Sequence, residues 1–158
     1  MTHPTVTHPD MALVGHWGSS PFDVGAMETS ALGFLPDGRG WSEFSSASSE
    51  LSVGRFRWHC PAPGLLELRY HLRVSGTWDP PPSGASWGFG AVTDHGPDDE
   101  VIRTGYRIGP ETPPYADAPV MTLVLDDAVE FAHHFARGRT EIAESDDVSA
   151  APVPYRRD

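Results

Sequence analysis

Alternation of apolar and polar residues is strictest between Leu65 and Ser75. Every second residue from Leu66 to Val74 is apolar or aromatic, and the positions between them are charged or histidine. A period of two over this length is typical of an antiparallel strand with one buried face. The pattern therefore predicts a strand over 65–75.

The preceding residues, 55–60, alternate in the same way and predict the other half of a hairpin. Residues 61–64 read Pro-Ala-Pro-Gly, a turn-forming stretch. If the turn holds an odd number of residues, even positions face even positions, so Trp58 meets the inner face of 65–75. Arg57 or His59 then lies opposite Glu67 as a pair of opposite charge.

Further strands follow from shorter runs of the same kind. Asp37-Gly38, within the turn 36–40, supplies the positive φ that tight hairpins need. A helix capped by Asp126-Asp127 is the alternative over 126–137, but the aromatic residues there keep period two and favour a strand. The remaining predicted strands are 13–18, 30–35, 41–46, 86–93, 101–108, 120–125 and 129–136.

Together these elements predict an all-β fold, a single antiparallel meander β-barrel of about 8–9 strands. Closure of the sheet leaves no exposed edge. The barrel spans 11–139, after a flexible N-terminal arm at 1–10 and before an acidic, Pro-rich C-terminal tail at 140–158 that we expect to be poorly ordered. Gly and Pro, 16 of each among 158 residues, also favour short elements joined by turns.

Charge and cysteine content argue against several classes of partner and binding site. The net charge of −11 argues against a nucleic-acid partner and against an anionic membrane surface. Cys60 is the only cysteine, so neither an internal disulfide nor a cysteine-based zinc site can form. The polar first ten residues do not resemble a secretion signal, which predicts a cytoplasmic protein. No cofactor and no metal are predicted.

The Gly15-His16-Trp17 sequence on the first strand resembles the Gly-x-Trp of the calycins, the superfamily of lipocalin-like barrels. The resemblance implies that Gly15 and Trp17 are structural and that Trp17 packs across the closed end. It also implies an Arg stacked over that Trp, with Arg137 and Arg139 as candidates, and a Thr-Asp-aromatic turn, partly matched by 93–95. Without a disulfide or a signal, the chain is most similar to a bacterial intracellular lipocalin-like domain.

The candidate chemistry lies on the predicted inner faces. Alternation over 129–136 places His133 on an apolar wall. There it is a hydrogen-bonded core histidine, a ligand anchor or general acid/base, or, as the least favoured alternative, a metal ligand. Tyr70 and Tyr106 also face inward and are the other candidate catalytic or polarising groups. We predict one cavity, open near 79–85 or 109–119, and lined by Phe56, Trp58, Leu68, Tyr70, Tyr106, Phe131 and His133.

Three functions are compatible with this fold. The first is an intracellular barrel that binds a small, largely apolar ligand, its partner being that molecule. The second is a cofactor-independent cyclase or isomerase acting on a reactive biosynthetic intermediate in the same cavity. The third is a protein-interaction module whose barrel is filled by side chains.

Overall fold

The computed structural model describes residues 10–79 and 87–156, which form an all-β fold with antiparallel pairing throughout. Short 3₁₀ helices occur at Met11–Leu13, Ser20–Phe22 and Glu144–Asp146, and no helix of these residues is long and apolar enough to cross a membrane. The strands are β1 (Gly15–Gly18), β2 (Glu28–Phe34), β3 (Arg39–Ser46), β4 (Glu50–Ala62), β5 (Leu65–Asp79), β6 (Gly88–Gly96), β7 (Val101–Glu111), β8 (Val120–Val129) and β9 (Ala132–Arg137).

Eight of the strands close into a barrel. Neighbours follow chain order from β1 to β5, then continue through β7, β8 and β9, and β9 pairs with β1. The 15-residue β5 bonds to β7 through Leu65–Arg69 and to the extra strand β6 through Arg73–Asp79. The predicted barrel of about 8–9 strands is confirmed, and the helix alternative at 126–137 is wrong because β8 and β9 occupy that stretch.

The register of the β4–β5 hairpin agrees with the prediction. Trp58 pairs with Leu68, and His59 pairs with Glu67, whose Oε2 lies 3.0 Å from His59 Nε2. The turn itself is tight, since Ala62 pairs with Leu65. A register shift between His59 and Ala62 supplies the extra residue that lets even positions face even ones.

One end of the barrel is closed by Trp17, which is 1% exposed. Its indole Nε1 donates to the carbonyl oxygen of Leu13 at 2.8 Å, and the Arg137 guanidinium lies 4.7 Å from the ring centroid. Arg139 instead bonds to Asp146 on the outside. Gly15 has a φ of +131°, and a Cβ there would meet a backbone carbonyl oxygen at 2.7 Å, so only glycine fits.

Three expectations need correction or limitation. The segment 93–95 lies within β6 and forms no turn, so this part of the lipocalin resemblance is wrong. Composition predicts a poorly ordered tail, but residues 140–156 form a 3₁₀ helix and turns, and part of this segment packs against the barrel. Residues 1–9 of the predicted arm and 80–85 of the Pro-rich loop lie outside the described residues.

The C-terminal segment covers the outer face of β3 and β4. Trp41 and Val53 point away from the barrel interior and pack with Ile142 and Val148 in a second apolar cluster. These apolar contacts between barrel and tail explain why acidic and Pro-rich composition does not leave this segment unpacked.

Beside this cluster lies the Arg55 clamp, formed by Arg55, Asp147, Ser149 and Tyr155. Arg55 Nε lies 3.4 Å from Asp147 Oδ2, and both side chains are buried. Arg55 Nη2 donates to the Ser149 carbonyl oxygen at 3.1 Å, and the Tyr155 ring stacks 3.9 Å from the guanidinium carbon. The clamp thus fixes the tail to β4 through a paired, hydrogen-bonded charge.

Glu43, on the same strand and face as Trp41, makes stability depend on pH. Burial, reinforced by the charges of Asp147 and Glu130, raises the pKa of Glu43 from 4.5 to about 7. Between these two pKa values the folded protein holds a proton that the unfolded chain releases. The contribution of Glu43 to the free energy of unfolding is therefore fully present below pH 4.5 and is lost as the pH rises through 7. The expected loss at this site is about 3 kcal/mol.

Denaturant titrations of wild type and Glu43→Gln at pH 4.5 and pH 8 measure this loss. Gln cannot ionise, so the variant gains stability over wild type at the higher pH. The exposed Glu28→Gln is the matched control and shows no such gain. Equal pH dependence in wild type and Glu43→Gln would contradict the assignment.

Candidate ligand-binding site

The barrel is solid at its closed end and hollow at the other. The cavity, about 730 Å³ in volume, opens where β4 and β7 begin and β8 ends. Sites for drug-sized ligands span about 300–1,000 Å³. The lining residues are Phe44, Glu50, Ser52, Tyr70, Arg73, Asp98, Glu100, Val101, Ile102, Arg103, Asp127, Ala128, Glu130 and Phe131.

Arg73 enters the cavity because β5 carries a β-bulge. Arg55 pairs with Leu72 but Phe56 pairs with Tyr70, so His71 is an extra residue on β5. One extra residue reverses which side chains face inward beyond it. The predicted alternation is right as far as Tyr70 and wrong after it. Beyond Tyr70, Arg73 lines the cavity, and Val74 is the strand partner of Val53, whose side chain lies on the outer face.

Glu130 and Phe131 reach the cavity from a tight turn between β8 and β9. Val129 pairs with Ala132, and the two residues between them have φ of +50° and +68°. Type I′ turns require positive φ at both central residues and favour Asn and Gly there, so Glu-Phe is strained. Ser30 Oγ donates to the Glu130 carbonyl oxygen at 2.6 Å and helps to hold this conformation.

A hydrogen-bonded network joins the cavity wall to this turn. Ser42 Oγ donates to Glu130 Oε1 at 2.9 Å, so its 2.7 Å bond with Tyr70 uses the tyrosine hydroxyl as donor. Arg73 Nη2 donates to the same Oε1 at 3.1 Å, and Arg73 Nε donates to Asp98 Oδ2 at 3.3 Å. Side chains from β3 and β5 thus converge on the carboxylate of the turn residue Glu130.

Tyr70 is suited to hold a ligand by hydrogen bonding. Burial is the main cause that raises the pKa of Tyr70 above its ordinary value, and the negative charges of Glu130 and Glu100 act in the same direction. A phenol whose pKa moves further from neutrality is a weaker general acid near pH 7. This favours an orienting role over proton transfer.

Two of the seven predicted lining residues, Tyr70 and Phe131, line the cavity. Phe56, Trp58 and Leu68 belong to the packed closed half, where aromatic rings meet at centroid distances of 5.2 to 5.7 Å. The prediction of a void among these three is wrong, since they fill the barrel as core side chains.

Tyr106 lies at the closed end, far from the cavity. Its hydroxyl donates to Asp10 Oδ2 at 2.6 Å and lies 3.6 Å from Cys60 Sγ. Burial and the hydrogen bond to Asp10 raise its pKa. Tyr106 therefore joins the segment before β1 to β7 and does not contact the proposed ligand space.

His133 is exposed, and the prediction that it lies on the apolar inner wall is wrong. Val124 pairs with His134 and Val129 pairs with Ala132, so four residues of β8 oppose the single His133. This irregularity breaks the alternation at His133, whereas Phe135, two residues later, is fully buried as the alternation predicts. His133 Nδ1 lies 3.0 Å from the carbonyl oxygen of Leu125.

The predicted opening near 109–119 is also wrong. Residues 112–119 connect β7 to β8 at the closed end, because Glu111 pairs with Val120 there. The cavity instead opens beside 98–103 and the turn at 130–131. The sequence does contain one indication of the polar site: Ser42 is a polar residue at an inward position of the predicted strand 41–46.

No family model, curated protein or solved structure matches this chain. Among the residues that the structure describes, no three His, Cys, Asp or Glu side chains are grouped to hold a metal ion.

Proposed function

We propose that the protein binds a small, largely apolar molecule in the cavity, as lipocalin-like barrels of the intracellular bacterial type do. The observation that carries the proposal is the Tyr70–Ser42–Glu130–Arg73 network in the wall of an open, ligand-sized space. Buried polar groups are expensive unless they are paired, and a pocket with a few fixed polar groups is typical of ligand sites.

The apolar part of the ligand rests on the rim. Phe44, Val101, Ile102 and Phe131 line the same cavity, and Phe131 is 79% exposed. Phe131 makes an edge contact with Phe44 at 5.3 Å and otherwise faces solvent. A large exposed aromatic on a strained turn is explained if a bound molecule covers it.

The arrangement of Gly15, Trp17 and Arg137 supports the lipocalin-like part of the proposal. The Trp on the first strand closes the barrel and an Arg from the last strand stacks over it, as the resemblance implies. The cavity lies at the opposite end, which is where such a barrel receives its ligand.

A neutral, environment-sensitive dye such as Nile red tests the proposal. We expect saturable binding with increased fluorescence, and Phe131→Ala weakens it about tenfold because one apolar contact of roughly 1.4 kcal/mol is lost. Tyr115→Ala is the matched control, since Tyr115 is also an exposed aromatic at positive φ, 93% exposed, but lies at the closed end.

The second candidate is an interaction module, which the solid packing of the closed half favours. The same titration separates the two. Absence of dye binding, or equal effects of Phe131→Ala and Tyr115→Ala, would contradict ligand binding in the cavity and leave the interaction module as the better explanation.

A further inference from the structure

The cavity has an excess of negative charge. Five carboxylates line it, at Glu50, Asp98, Glu100, Asp127 and Glu130. The two lining guanidiniums are already engaged. Arg73 bridges Glu130 and Asp98, and Arg103 Nη2 lies 3.5 Å from Glu67 on the outer face of the sheet.

Glu130 is the most enclosed of these carboxylates, with its side chain 9% exposed. Its Oε1 accepts both of its hydrogen bonds, from Ser42 and Arg73, and no described residue donates to Oε2. A carboxylate withdrawn from water is costly unless it is fully paired. Because Arg73 also pairs with Asp98, its single guanidinium does not fully neutralise Glu130.

We propose that the ligand is an organic cation, with a protonated amine directed at Glu130 Oε2 and an apolar or aromatic body against Phe131 and Phe44. This rests on the proposed function and specifies its ligand class. A charge-assisted hydrogen bond to a carboxylate is about twice as strong as a neutral one, and a cation beside an aromatic ring gains further attraction.

The same features favour an organic cation over a metal ion. The carboxylates come from separate strands and loops, and the described residues bring no three acidic, His or Cys side chains together as a metal site. Apolar rim residues such as Val101 and Phe131 offer nothing to a bare ion but cover a hydrocarbon body.

The test compares three probes with one phenylalkyl body, 2-phenylethylamine, 2-phenylethanol and 3-phenylpropionate, by calorimetry at neutral pH and low salt. The amine is expected to bind about tenfold more tightly than the alcohol, and the carboxylate least tightly. Glu130→Gln is expected to reduce amine affinity to about that of the alcohol measured on the same variant, so that the tenfold preference for the amine is lost. Asp117→Asn, an exposed carboxylate at the closed end, is the control and changes neither.

The outcomes separate this inference from the proposed function. If amine and alcohol bind equally and Phe131→Ala weakens both, the cavity binds ligands but the cation is wrong. If none of the probes binds at millimolar concentration, both proposals are overturned. Saturable binding of Mg²⁺ or Ca²⁺ alone, abolished by Glu130→Gln, would overturn the organic cation in favour of a metal.

Discussion

Trp17→Ala lowers the free energy of unfolding by about 3–5 kcal/mol, the range for a large aromatic residue removed from a core. The indole fills the closed end beneath Arg137, and its N–H is bonded to Leu13. Truncation leaves a cavity, an unpaired carbonyl group and a guanidinium without its aromatic partner. Urea denaturation at constant m-value measures the loss.

Trp17→Phe is the matched variant, since it keeps an aromatic ring and removes the indole N–H. We expect a smaller loss than for Trp17→Ala, because most of the buried apolar surface remains. A loss below about 1 kcal/mol for Trp17→Ala would mean that Trp17 does not close the barrel.

Asp147→Ala lowers the free energy of unfolding by a similar amount, about 3–5 kcal/mol, because it leaves the buried Arg55 charge without its partner. Asp147 also accepts hydrogen bonds from the Ser149 hydroxyl, the Ser149 backbone N–H and the Tyr155 hydroxyl, so these groups lose a partner as well. We expect a lower urea concentration at the unfolding midpoint, together with faster proteolysis of the tail.

Asp146→Ala is the control, because the neighbouring Asp146 pairs with the largely exposed Arg139. Exposed pairs contribute about 0–1 kcal/mol. The double variant Arg55→Met with Asp147→Leu removes both charges and is expected to recover much of the loss, as replacement of a whole buried pair often does. Equal effects of Asp146→Ala and Asp147→Ala would contradict the clamp.

Alternation along the chain was sufficient to predict the barrel, because each strand buries one face and period two follows from that. It failed at two irregularities of the sheet. The extra residue at His71 turned Arg73 inward, and four residues of β8 opposite His133 turned that histidine outward. A bulge depends on pairing between strands, so periodicity within one strand does not reveal it.

The candidate site was predicted less well than the fold for the same reason. Alternation over 129–136 predicts Glu130 and Phe131 within one continuous strand, whereas the structure has both on the turn beside the cavity. Composition alone predicts a poorly ordered tail, but Ile142 and Val148 stand among its acidic and Pro-rich residues and pack against the cluster of Trp41. The local sequence of a segment does not show that it will pack against residues distant along the chain.

The division of the barrel into a packed half and an open half has an evolutionary consequence. Residues of the cavity rim such as Val101, Asp127 and Phe131 contribute little to the core, so they can change under selection for a new ligand without unfolding the chain. Residues around Trp17 lack that freedom. Descendants of such a protein would therefore diverge fastest in what they bind while retaining the same closed end, and specificity could be re-engineered by mutating the rim alone.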